Sequence, residues 1–165
     1  DPRSNTLRLS EATRYNNSIA AIGVAAHEAG HAVQDGVNFF PNKIRAALVP
    51  VANLGSKAGP YLALIGIFIN AYANSSDIGM SIAYVGVALY FFAFLFYLVT
   101  LPVEFDASHR AIVILNSSGM LNAEELKGAK KVLRSAAMTY VAAAATAFVS
   151  FLRIFAMVNN NKRDR

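Results

Sequence analysis

The sequence predicts a mainly α-helical integral membrane protein with one short N-terminal strand, and three observations carry that prediction. Of the 165 residues, 55% are hydrophobic. Only 15% are charged, against about 25% in an ordinary soluble domain. The stretch Ile78–Leu101 carries no charge at all, and about 20 apolar residues suffice to span a bilayer.

The elements follow in order along one membrane domain, 1–165. In the first part, 1–43, Thr6, Leu7, Arg8, Leu9 and Ser10 alternate apolar with polar, the period of a half-exposed strand. Asn16–Ser18 supplies N-cap chemistry, and Ile19–Gln34 reads as one helix with Gly36 as its C-terminal cap. The second part, 44–101, reads as a transmembrane hairpin. Ala58–Ser76 and Ile78–Leu101 are its limbs and the polar Asn74–Asp77 its turn. Pro60, Asn70 and Asn74 shorten the apolar core of the first limb, so its span is expected to begin near Ala46, with Lys57 snorkelling or facing protein. Part three, 102–135, contains the charged helical stretch Asn122–Ser135. A third apolar helix, 136–158, is interrupted by Arg153, and the polar tail 159–165 reads as disordered. Asp1 follows neither an initiator methionine nor a signal peptide, which reads as a processed or truncated N-terminus.

The absence of cysteine excludes disulfides and thiolate metal sites, so a metal would need His, Asp or Glu ligands. The net charge of +5 does not indicate a nucleic-acid partner, because the basic residues are scattered and form no aromatic-interleaved run. They read as charges flanking membrane spans.

The stretch "AAHEAGHAVQDG" carries the chemistry. His27 and His31 are four residues apart on a predicted helix, hence on one face, and can offer imidazole nitrogens to one cation. Glu28 projects about 100° round from His27. It reaches a water activated by the metal more easily than the metal itself, as a general base must. Ala26, Ala29, Gly30 and Ala32 leave room for a substrate or a neighbouring helix. Catalytic zinc takes three protein ligands and an open position. Gln34 and Val37 stand where a longer pattern would have glycine and a third histidine, so the third ligand lies elsewhere. The candidates are His109, Asp35, Asp77, Glu104, Asp106, Glu124 and Glu125. If the hairpin runs out and back, Glu104 returns to the side of His27 and His31, near the membrane surface. Asp77 is then on the other side, and Glu124 and Glu125 fall in a solvated stretch.

His-Glu-x-x-His, a membrane hairpin and "EFDASHRA" together resemble the integral-membrane gluzincin-type peptidases, among them the HtpX-like and CAAX prenyl proteases. The chain is more similar to the putative neutral zinc metallopeptidases of bacterial membranes, the YugP-like family, at "DPR…LRLS", "SIAAIGVAAHEAGHAVQ" and "LPVEFDASHRA". The resemblance implies a zincin-like helix, one Zn²⁺ per chain held by His27, His31 and Glu104, and Glu28 as general base. It also implies a transmembrane helix ahead of "DPR". In the HtpX-like pattern an aspartate four residues after the ligand glutamate bonds a ligand histidine. Ser108 stands there, on the same helix face as Glu104, and offers a weaker bond. Asp106, nearly opposite, does not substitute for it. His109 and Arg110 are candidates for stabilising the transition state, and Thr6–Ser10 for pairing with an extended substrate.

Eleven of the fifteen Lys and Arg residues lie up to Lys57 or between Glu104 and Ser135. The positive-inside rule then turns the site to the cytoplasm of a multi-pass bacterial membrane protein. The basic tail disagrees if 136–158 crosses completely. The expected activity is a zinc endopeptidase acting on membrane or membrane-proximal proteins and peptides; small residues on apolar helices leave room for self-association, and the sequence does not set the oligomeric state. The competing reading is a non-catalytic scaffold or chaperone-like factor keeping the same fold. A metal transporter is disfavoured, because Ala58–Ser76 and Ile78–Leu101 contain no ionisable acid or histidine.

Overall fold

The computed structural model describes residues 4, 6–72 and 76–163. These form five helices: α1 (Glu11–Arg14), α2 (Ile19–Gly36), α3 (Phe40–Tyr72), α4 (Ser76–Ser118) and α5 (Ala123–Arg163). No strand occurs among the described residues. Thr6–Ser10, expected as a strand, has no regular structure. Alternation specifies which side chains share a face, but a strand exists only when a second strand takes up its backbone hydrogen bonds. Part of the expected Asn74–Asp77 turn, and the "DPR" segment, lie outside the described residues.

The chain divides into two compact units, Asp1–Lys43 with Thr100–Val141, and Ile44–Val99 with Ala142–Arg165. In the first, α2 begins at Ser18, whose side-chain oxygen accepts from Ala21 N at 3.2 Å. Its end is not the glycine cap expected at Gly36. The helix includes Gly36, and Asn38 takes the left-handed conformation at φ 55°. Phe39 N bonds Gln34 O at 2.9 Å and Asn38 N bonds Asp35 O at 3.1 Å. This is the double closure of a Schellman end, and asparagine is among the few residues that accept the left-handed region. The core of this unit packs Ala26 against Ala111, Leu115, Ala129 and Leu133. Gly119, at φ +66°, follows the end of α4. Asn122 then starts α5 with a capping box: its Oδ1 accepts from Glu124 N and Glu125 N, and Glu125 Oε2 accepts from Asn122 N at 2.9 Å.

In the second unit α3 and α4 run antiparallel, since Gly55 faces Leu89, Gly59 faces Gly86 and Gly79 faces Asn70. A Cβ on Gly86 would stand 2.5 Å from Ala63 N, so the two backbones approach as closely as glycine permits. Ala63, Ala83, Val87 and Val158 form the core of this unit.

Two expected boundaries are absent. The charged stretch, from Ala123 on, and the apolar stretch 136–158 are one helix, and 159–163, expected as part of a disordered tail, extends it. A change from charged to apolar composition does not interrupt i→i−4 hydrogen bonding. Among the described residues two helical stretches are long and apolar enough to cross a membrane, Asp77–Ser118 and Ala123–Asn161. The first limb of the expected hairpin, in α3, is not among them; Asn53, Lys57, Pro60 and Asn70 dilute it. A bilayer needs only about 20 residues of α4. The charge-free Ile78–Leu101 supplies them, which leaves Glu104 beyond the apolar stretch.

Candidate metal centre

The site is built from α2 and the 100–118 portion of α4, both in the first unit. Helical spacing puts His27 and His31 on one face, with ring centroids 4.7 Å apart and planes at 84°. Gly30, between them, is the point of closest approach. A Cβ there would collide with Ala107 O and stand 3.1 Å from the carbonyl carbon. Only a residue without a side chain lets α4 come close enough to deliver Glu104.

Glu104 is buried, at 4% exposure. Its Oε2 lies 3.2 Å from His27 Nε2 and 3.6 Å from His31 Nε2. Among the described residues these three form the group of potential ligands, with donor atoms within 4.8 Å of one another. Two ligands about 2.1 Å from a tetrahedral zinc stand about 3.4 Å apart. Both His–Glu separations are close to that edge length, and two imidazoles with one carboxylate are a donor set that zinc takes. The residues therefore fit the metal. Burial pushes the Glu104 carboxyl up, but hydrogen bonds and charge from His27 and His31 outweigh it and hold the group down at about 2.

The outer nitrogens of both imidazoles are engaged. Ser108 Oγ lies 3.2 Å from His27 Nδ1. Gln34 Oε1 lies 2.9 Å from His31 Nδ1. Gln34 Nε2 in turn donates to Val103 O at 2.7 Å and to Asp106 Oδ2 at 2.9 Å. Asp106 also accepts from Arg110 Nε at 2.6 Å. Its carboxyl sits below the usual range, because slight burial raises it less than the Arg110 and Gln34 hydrogen bonds lower it.

Gln34 and the reach of Asp106 are what sequence reasoning missed. In the sequence Gln34 stands out only as a departure from a longer histidine pattern, although it lies one helical turn from His31. Asp106 does not touch a histidine, but it is connected to His31 through Gln34. Arg110 is committed to Asp106, with its guanidinium 5.9 Å from the Phe39 ring centroid. His109 is exposed. Of the other ligand candidates, Asp35 is held by Asn42 at 2.6 Å, while Glu125 caps α5 and Glu124 pairs with Lys127.

A cavity of about 560 Å³ opens beside the cluster, with Glu28 and His31 in its wall. Thr6, Leu7 and Arg8 line it as well, so the segment expected to be a strand does border the site. Among the described residues, Leu9, Ser10, His109 and Arg110 are not part of that lining.

A family model described as putative neutral zinc metallopeptidase matches residues 1–159. The chain is 40% identical over 164 residues to a protein named "Putative membrane protease YugP" of Bacillus subtilis (strain 168), covering 99% of this chain and 69% of that one. No solved structure matches.

Proposed function

This chain belongs to the family of putative neutral zinc metallopeptidases, and from that premise we propose that it is a membrane endopeptidase that holds one zinc ion on His27, His31 and Glu104. The observation that carries the reading is the convergence of these three donors beside a cavity that Glu28 faces. Zinc, when bound, supplies a Lewis acid that polarises a peptide carbonyl and acidifies a coordinated water. Glu28 is exposed on the cavity wall. Its carboxylate takes the proton of the attacking water and delivers it to the leaving amine nitrogen. Thr6, Leu7 and Arg8 lie along the cavity with backbone groups outside any helix, where an extended peptide can pair with them.

Two helical stretches long enough to cross a bilayer, and a relative named as a membrane protease, support a membrane location and membrane-proximal substrates. The Lys and Arg distribution supports a multi-pass arrangement with the site toward the cytoplasm. The test pairs metal analysis with activity. Purified protein should hold about one zinc per chain. Glu28→Gln should keep it while losing cleavage of a loosely folded substrate. Cleavage by Glu28→Gln at the wild-type rate would refute the mechanism, and zinc-loaded wild-type protein that cleaves nothing would favour a non-catalytic scaffold.

A further inference from the structure

We propose that a cavity in the second unit binds a long-chain carboxylic acid, with the head on Arg153 and the chain along the apolar wall. The proposal rests on the membrane location given above and not on the zinc site.

The cavity has a volume of about 330 Å³, at the small end of the range for sites that take small molecules. All of its lining belongs to the second unit. Pro60, Ala63, Leu64 and Ile67 come from α3, and Ile154 and Met157 from α5, so most of the wall is apolar. Three polar residues interrupt it, Tyr90 from α4 and Ser150 and Arg153 from α5. Among the described residues, the side chains of these three make no hydrogen bond or ion pair. Leu64, Arg153 and Met157 are exposed, so the cavity is open to the surroundings of the helices.

Packing sets its depth. Gly59 brings α3 against Tyr90, and a Cβ there would stand 3.0 Å from Tyr90 Cβ. On α5, two residues before Arg153, the Phe151 ring lies 5.4 Å from that of Phe91. At 1.5 Å per residue, Tyr90 is about 18 Å along α4 from Ile78 and about 17 Å from Leu101. Arg153 therefore sits near the middle of a hydrocarbon core about 30 Å thick, too deep to snorkel to either surface. A charge at that depth is costly and calls for a partner of opposite sign. Among the described residues of this unit the one acid is Asp77, about 20 Å along α4 from Tyr90.

A ligand that brings its own acid meets this need. A phospholipid does so poorly, because its phosphodiester is always charged and its head stays at the membrane surface. A carboxylic acid reaches the middle of the bilayer uncharged, since leaving water favours its neutral form. Its two oxygens match the fork of the Arg153 guanidinium, and the Tyr90 and Ser150 hydroxyls can donate to the lone pairs that remain. Leu64, Ile67, Ile154 and Met157 receive the chain.

The test is binding of radiolabelled palmitate to the full chain in phosphatidylcholine nanodiscs. Wild type should bind saturably. Arg153→Gln should weaken binding by at least about tenfold, and Arg153→Lys should lose less. Leu64→Trp, which fills the cavity and leaves the charge in place, should also bind weakly, and Tyr90→Phe should be affected by a smaller factor. Lys57→Gln removes a charge of the same unit outside the cavity lining and should change nothing. Hexadecanol, with the same chain and no acid, should compete poorly, as should phosphatidylglycerol. The proposal is overturned if Arg153→Gln binds palmitate like wild type, or if hexadecanol competes as well as palmitate. Displacement of palmitate by phosphatidylglycerol would overturn it too, by making the occupant a lipid phosphate. Wild type that stays with washed membranes but binds no palmitate overturns this proposal alone, whereas protein that washes off overturns the location on which it rests.

Discussion

Gly30→Ala tests how the site is assembled, because two effects of known size oppose each other there. Alanine within a helix is favoured over glycine by about 1 kcal/mol. If α2 were free at this position, the variant would be more stable than wild type. The added methyl, however, would collide with Ala107 O and lie 3.1 Å from the carbonyl carbon and 3.2 Å from Ala107 Cα. All three are backbone atoms and cannot rotate aside. The two helices must separate by on the order of 0.5–1 Å, and overpacking of this kind costs about 1–3 kcal/mol. Crowding should win, with a net loss of up to about 2 kcal/mol. The separation also exceeds the roughly 0.2 Å over which metal–ligand distances are tolerated, and it moves Glu104 away from His27 and His31 together. Zinc affinity should therefore drop by at least about tenfold. The assay is chelator competition together with thermal unfolding of the metal-free protein. Gly23→Ala on the same helix is the control, since a Cβ there meets nothing within 4 Å. Should Gly30→Ala be stabilised like the control and bind zinc normally, the close-approach argument fails.

Further outcomes follow from other parts of the site and fold. Glu104→Gln keeps the volume but removes the charge, and should abolish stoichiometric zinc in metal analysis while the helical circular dichroism persists. Asn122→Ala removes the capping box of α5 and should cost about 0.5–2 kcal/mol in thermal unfolding without altering zinc content. Acid should destabilise the metal-free protein through Glu104. Its carboxyl lies at about 2 when folded and at 4.5 otherwise. The stabilisation is present above 4.5 and disappears as pH falls toward 2, so Glu104→Gln should flatten that part of the stability–pH curve.

Local features of the site and fold are legible in the sequence, and features needing a distant partner are not. The pairing of His27 with His31 follows from helical period alone. Glu104 stands beside them, at 3.2 Å from His27 and 3.6 Å from His31, as the sequence expectation of a third ligand from that stretch required. Ser18 and Asn122 announce helix starts in their own side-chain chemistry. The Gln34–Asp106 contact joins residues 72 apart, and nothing in either residue's neighbourhood names the other. Thr6–Ser10 shows the converse error: its alternation is real, but no second strand exists among the described residues to complete it. Pro50 and Pro60 lie inside α3, although proline removes a backbone donor.

The atoms behind the two imidazoles, a serine hydroxyl and a glutamine amide, are both uncharged. The carboxylate that lies behind Gln34, Asp106, is already balanced by Arg110. Within the ligand set a divalent ion would be offset by Glu104 alone, so that ion and ligands together would keep a net charge of about +1. Ligand histidines backed directly by carboxylates become stronger electron donors; these would not, so the ion would remain a harder electrophile. Such a centre should be inhibited more strongly by anionic chelating groups than by neutral ones, and high ionic strength should weaken that preference.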